Sequence, residues 1–281
     1  MTARLIQDNY GKSRVRLIKV DRSTPHHQIQ NLTINIALEG DFDDIHIKGD
    51  NSACLPTDTM KNSVYALAGQ TDEIEEVEAF GQRLAGHFLE NCPQVDRVRL
   101  EMFEHGWKRM KFDGSEHDHS FVRGSGEKRT ATITATREGV TVESGVEDLI
   151  VLKTTRSGFV GFIKDQYTTL PEATDRIFST AIKATWRYAD PKAATRETSE
   201  NIRRSILETF AGHDSLSVQH TLYAMGEAVL ERFAIVEEIS FSLPNIHCLP
   251  VDIDRFGIKN GNRIFVPTDE PHGLIEARLA R

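Results

Sequence analysis

The sequence predicts an α+β protein built from two copies of one unit, each an antiparallel sheet with helices on one face. Three observations lead there. Several segments alternate apolar and polar residues as one-sided strands do. Between them lie pairs of amphipathic helices with start and stop signals. The order strand-strand-helix-helix-strand-strand occurs twice, which places a first unit over residues 1–125 and a second over residues 126–281. At roughly 100–200 residues per domain, the length suits one large domain or two ordinary ones.

In chain order, Val15, Leu17 and Ile18 open an apolar strand, and Leu32, Ile34, Ile36 and Leu38 alternate strictly as a second. Pro56 and Thr57 open a helix whose apolar stripe is Met60, Val64, Leu67 and Ala68, with Gly69 ending it in the left-handed conformation. The next helix reads from a capping-box spacing, Asp72 and Glu75, through Ile74, Val77, Leu84 and Phe88 to a stop at Asn91-Cys92-Pro93. Val98, Leu100 and Met102 then alternate with Arg97, Arg99 and Glu101 as a one-sided strand.

The second copy begins with Ile133 and Ala135 among threonines. Glu138-Gly139 is read as a turn, and Val140, Val142 and the run Leu149-Ile150-Val151-Leu152 as the returning strand. Phe178, Ile182, Ala184 and Trp186 signal an extra strand. Helices follow at about 196–211, with Ile202, Ile206 and Phe210 on one stripe, and at about 218–232, with Val218, Leu222, Met225 and Val229. Strands at 235–241 and 264–266 close the unit. Pro244 is expected to end the first of these, leaving Asn245 and His247 at a strand end.

Composition narrows the function. There are 34 Lys and Arg against 42 Asp and Glu, a net charge of -8, with no basic stretch suited to a phosphate backbone, so a small-molecule ligand is expected rather than nucleic acid. No apolar run approaches the ~20 residues of a membrane span. The polar N-terminus lacks the apolar core of a signal peptide, and Cys54, Cys92 and Cys248 give neither a disulfide framework nor a metal knuckle. The expectation is a reducing, cytoplasmic setting without a membrane partner.

Six short segments carry the functional signal: Asn9-Tyr10-Gly11-Lys12, Pro56-Thr57-Asp58-Thr59-Met60-Lys61-Asn62, Asp165-Gln166-Tyr167-Thr168-Thr169-Leu170, Asp175-Arg176-Ile177, Ser217-Val218-Gln219 and Ser242-Leu243-Pro244-Asn245-Ile246-His247. In this order, over residues 9–275, they make the chain resemble the urate oxidase (uricase) family. That resemblance implies two tandem tunnelling-fold units forming one sheet, sheets from two subunits closing into a barrel, and two barrels stacking into a homotetramer. The implied reaction turns urate, dioxygen and water into 5-hydroxyisourate and hydrogen peroxide, with neither metal nor other cofactor. The C-terminal Ala277-Arg278-Leu279-Ala280-Arg281 is not the Ser-Lys-Leu peroxisomal address, which favours a bacterial cytosol.

The residues themselves suit such chemistry. An amine, a hydroxyl and an imidazole in line can take a proton from a substrate and return it, and the resemblance assigns that relay to Lys12, Thr57 and His247. The resemblance also implies that Lys12 and Thr57 come from one subunit and His247 from its neighbour. Free N–H groups at two helix starts suit a planar anion, here Thr57, Asp58 and Val218. Arg176 offers a flat fork, Gln219 both donates and accepts as the amide-like edge of a purine demands, and the resemblance implies that the two clamp urate together. Phe159 is implied to stack on its face, and Asn245, with Thr57, to hold dioxygen and then water. Taken singly, these are ordinary: Thr57 and Ser217 as helix caps, Arg176 and Lys12 as surface charges, Phe159 as core. Val160 after Phe159 and His220 after Gln219 depart from the usual family residues and bear on pocket shape.

His117-Asp118-His119 places two imidazoles on one strand face, as metal ligands can be, but no third donor stands at a telling spacing. Two other functions remain at this stage: a purine- or pteridine-binding protein of the same fold without oxidase activity, and a metal-dependent hydrolase built on His117 and His119.

Overall fold

Strand β1 (Tyr10–Asp21) pairs antiparallel with β2 (Gln28–Gly40), in which Leu32, Ile34, Ile36 and Leu38 turn inward and are almost wholly buried. The computed structural model describes residues 3–281. After a short helix α1 (Asp43–Ile47) come α2 (Thr57–Ala68) and α3 (Val77–Asn91). Their buried stripes, Met60, Val64 and Leu67 on α2 and Phe80, Leu84 and Phe88 on α3, repeat every three to four residues. Strand β3 (Val95–Phe112) pairs with β2 and with β4 (Ser115–Thr136), and β5 (Val140–Lys153) follows β4 through Gly139. Val98, Leu100, Met102, Ala131 and Ile133 supply the sheet side of this core.

In the second half, β6 (Phe178–Tyr188) precedes α4 (Arg196–Gly212) and α5 (Val218–Arg232), and β7 (Val236–Pro250) is flanked by β8 (Phe265–Thr268) and β9 (Leu274–Ala280). Phe178, Ile182 and Trp186 from β6 and Ile239, Phe241 and Leu243 from β7 are buried, as are Ile206, Phe210, Leu222, Met225 and Val229 from the helices. Packing divides the chain into two compact units. One holds the described residues up to Gly145 with Arg187–Ser199, the other Val146–Trp186 with Glu200–Arg281. The sequence-based junction, 125/126, lies inside β4.

Several local expectations change. Gly69 is right-handed, with φ -81° and ψ -6°. Asp72 and Glu75 form no capping box: α3 starts at Val77 with no side-chain cap, because the Glu75 carboxylate is taken by Arg83 and its carbonyl accepts from Gln30 at 2.9 Å. The Leu149–Leu152 run lies in β5 as expected, with Leu149 buried and Ile150 and Leu152 exposed. Pro244 does not end its strand. It sits where β7 changes partner: β9 pairs with Glu238 through Pro244, and β8 takes over from His247 to Pro250. A proline is tolerated there because the ladder is being handed over.

Candidate active site

In the first unit, the strand carrying Lys12 lies tight against its neighbour. A Cβ on Gly11 would fall 1.8 Å from the Ile36 carbonyl oxygen, so only glycine permits the register Gly11–Ala37 and Lys12–Ile36. Immediately after Lys12 the register shifts, with Arg14 at φ 58° and its N–H donating to Asn35 Oδ1 at 2.8 Å. A bulge of this kind re-aims the side chains around it. Two residues earlier, Tyr10 packs edge-on against Phe42 with centroids 4.8 Å apart, and its hydroxyl accepts the Leu55 N–H at 2.9 Å. Burial pushes the Tyr10 hydroxyl up to about 12, so it stays protonated at ordinary pH.

Leu55 leads directly into α2. Pro56 takes the N-cap position with ψ 137° and offers no side-chain cap, so the first-turn N–H groups of Thr57 and Asp58 are presented outward. Thr57 is thus the first helical residue rather than the cap expected of it in isolation. Asp58 is exposed and pairs with Lys61 and with Asn62 Nδ2 at 2.9 Å; Lys61 chiefly, with a smaller contribution from Lys12, holds its carboxyl below the usual range. Lys12, Thr57 and Asp58 are therefore grouped by one strand and one helix start.

In the second unit, the segment around Ser157 is the scaffold. Arg176 N–H donates to Ser157 O at 2.7 Å, Gly158 N–H to Ser215 O at 2.8 Å, and Phe159 and Ala173 exchange two backbone bonds at 2.7 and 3.0 Å. This ties the Phe159 strand to the Arg176 turn on one side and to the entry of α5 on the other. The Arg176 guanidinium stands 5.3 Å from the Phe159 ring centroid, and burial lowers its pKa. Partial desolvation makes that cation a stronger partner for an anion than a solvated one.

At α5, Ser217 caps the helix by accepting the His220 N–H at 3.1 Å. The Ser217 hydroxyl takes only the His220 N–H, and the N–H groups of Val218 and Gln219 lie in the same first turn. Val218 is buried while Gln219 is exposed, so its carboxamide faces outward beside the helix start. The His220 ring packs against His213, centroids 4.3 Å apart, and His213 is shifted down by burial and then by His220. On β7, Asn245 and His247 share a face, and Asn245 Nδ2 approaches His247 Nδ1 at 3.3 Å. With the amide donating, the neutral ring carries its proton on Nε2.

His117 and His119 lie on the outer part of β4 with ring centroids 4.7 Å apart, and His27 is 5.9 Å from His119. Among the described residues no three His, Cys, Asp or Glu side chains converge on a metal position. The residues missed in sequence are the supports: Leu55, Ser157 and Ser215. Ser157 and Ser215 are buried serines joined by a parallel bridge, with no periodic signal to reveal them.

This frame can be set beside known proteins. The uricase family model matches residues 8–134 and 142–276. A uricase of Arthrobacter globiformis is 42% identical over 98% of this chain and 89% of its own length, and one of Oryctolagus cuniculus is 37% identical over 98% and 94%. The crystal structure of the Arthrobacter globiformis uricase superposes with a TM-score of 0.95, at 41% identity over 100% of this chain and 96% of that one. A uricase structure from Bacillus fastidious gives 0.83 at 27% identity, over 97% of this chain and 93% of its own. The chain, matched along nearly its whole length in sequence and in fold, belongs to the uricase family.

Proposed function

We propose that this protein oxidises urate: urate, dioxygen and water give 5-hydroxyisourate and hydrogen peroxide. The observation that carries the reading is the flat Phe159 ring flanked at 5.3 Å by the half-buried Arg176 guanidinium, both tied by backbone bonds to the start of α5. A planar anionic heterocycle fits that arrangement: its face on the phenyl ring, one edge on the fork of Arg176, and amide-like atoms toward Gln219 and the Val218 N–H.

Lys12, Thr57 and His247 form the proton relay in this reading. Removing protons from urate makes its ring electron-rich enough to give two electrons to dioxygen, and the relay returns protons to the departing peroxide. Asn245, with Thr57, holds first dioxygen and then the attacking water over the ring. The protein's contribution is orientation and proton transfer. Thr57 and Asp58 add N–H donors from α2.

Each unit alone lacks something. The first has the amine, the hydroxyl and a helix start but no aromatic face or guanidinium from the set; the second has the ring, the fork, the carboxamides and the imidazole but no amine. A site completed across subunits of a homotetramer accounts for this division, with Lys12 and Thr57 from one chain and Arg176 and His247 from its neighbour.

The deciding assay uses chelator-treated, metal-stripped protein, following the urate absorbance and peroxide together. Loss of urate with one equivalent of peroxide supports the oxidase. Binding without turnover would instead identify a purine-binding protein, and activity regained only with added metal would identify a metal-dependent enzyme.

A further inference from the structure

Phe159 is itself backed by a second ring. The chain turns at Gly161, φ +71°, and returns Phe162 onto Phe159 with centroids 4.8 Å apart and planes only 10° from parallel. Lys164 Nζ stands 5.4 Å from the Phe162 centroid and is ion-paired with Glu172 at 2.9 Å. Phe162 thus stacks on Phe159, and Lys164 stands against Phe162. Parallel stacking at this separation fixes the plane of Phe159, whose ring would otherwise rotate at a partly exposed site.

Electrostatics gives this arrangement a second role. The face of a phenyl ring is negative, so it is a poor surface for an anion unless cations polarise it. Arg176 stands by the first ring and Lys164 by the second. We propose that Phe162 and Lys164 are positioning residues for the ligand: the second ring fixes the angle at which a planar anion stacks on Phe159, and the lysine against it offsets the repulsion between that anion and the aromatic face. This rests on the oxidase reading, in which Phe159 receives urate.

Steady-state urate oxidation by Phe162→Leu, Phe162→Tyr and Lys164→Met tests it. Leucine keeps an apolar side chain without a ring, and tyrosine keeps the ring. An aromatic pair worth about 0.5–1.5 kcal/mol corresponds to roughly a 2- to 12-fold rise in KM for Phe162→Leu, with kcat changed less than about twofold and Phe162→Tyr near wild type. Lys164→Met raises KM about 2- to 5-fold, and Lys164→Arg restores it. Unchanged KM in Phe162→Leu overturns the proposal. So does a lowered KM, which would mean that Phe162 occupies the ligand's own face. Equilibrium dialysis with xanthine, a planar purine, separates the two readings: if wild type does not turn over urate, the oxidase reading fails, and the same order of xanthine affinities across the variants still decides the role of the stack.

Discussion

The Tyr10 hydroxyl accepts the Leu55 N–H at 2.9 Å, joining the strand that carries Lys12 to the turn that opens on Thr57. Two proposed relay residues, far apart in sequence, thus share one fixed point. Tyr10→Phe removes the acceptor and keeps the ring packed on Phe42, so it lowers kcat more than it raises KM and costs about 1 kcal/mol of stability. The pH dependence also changes. Burial raises the Tyr10 pKa from 10.0 to about 12, so the native state holds this proton more tightly than the unfolded chain. Its stabilisation is complete below pH 10.0 and is lost as pH rises toward about 12. Urea melts across that range would show a shallower alkaline decline in Tyr10→Phe; parallel declines refute the linkage.

Lys12→Met and Thr57→Ala each reduce kcat by ~10²–10⁴ with a smaller effect on urate affinity, as expected for groups that move a proton in the transition state. The double variant is far from additive because the two act in one chain of transfers. Stopped-flow traces at saturating urate give kcat directly, and near-wild-type turnover in Lys12→Met removes the amine from the mechanism.

Arg176→Lys keeps a positive charge but loses the planar fork held beside Phe159. KM for urate rises by about tenfold or more, the scale of a lost charge-assisted bond of about 1.5–3 kcal/mol. If KM and kcat both stay put, Arg176 is not the urate clamp.

A mixing experiment tests the proposed division of the site between subunits. On that proposal, homo-oligomers of Lys12→Met or of Arg176→Ala contain no intact pocket, whereas mixed oligomers contain some with both residues present. After dissociation and reassembly, part of the activity returns. Mixed oligomers verified by size and mass that remain dead would show that each pocket lies within one chain.

The first unit also holds a buried ionic knot. Glu78 on α3 is wholly buried, and both its carboxylate oxygens meet Arg129 Nη2, at 2.7 and 2.9 Å, while the Ser144 hydroxyl donates to one of them. Burial outweighs the arginine and raises the Glu78 pKa. Arg129→Met leaves that charge without its main partner and costs about 3–5 kcal/mol, and the double variant Glu78→Gln with Arg129→Met recovers part of the loss. Because the carboxyl's native pKa is raised, the single variant's deficit shrinks as pH falls and the proton goes on. Denaturant midpoints at two pH values check both statements.

Much of this was legible in the sequence because burial on one side leaves a period. The stripes Met60–Val64–Leu67 and Leu222–Met225–Val229 mark α2 and α5, and the alternation from Leu32 to Leu38 marks β2. The outer part of the β3–β4 hairpin left no such mark: Trp107, Phe112 and Val122 are exposed there, so neither face alternates. β9 was missed for the same reason, with most of its residues exposed. Phe42 escaped notice as a lone aromatic, although it is buried against Tyr10. For the site, the side chains proposed to meet a ligand were visible as residue types in motifs. Their supports were not, since a backbone carbonyl such as Ser157 O, which accepts from Arg176, has no signature in the letters.

At Pro244 the ladder of β7 passes from one partner strand to another. Ile239, Phe241 and Leu243 take their register from β9, while the imidazole of His247 takes its register from the four-residue β8, opposite Thr268. The buried end of this strand is thus held by close packing and a seven-residue partner, while the end that carries the proposed relay imidazole is held by a short, partly exposed strand.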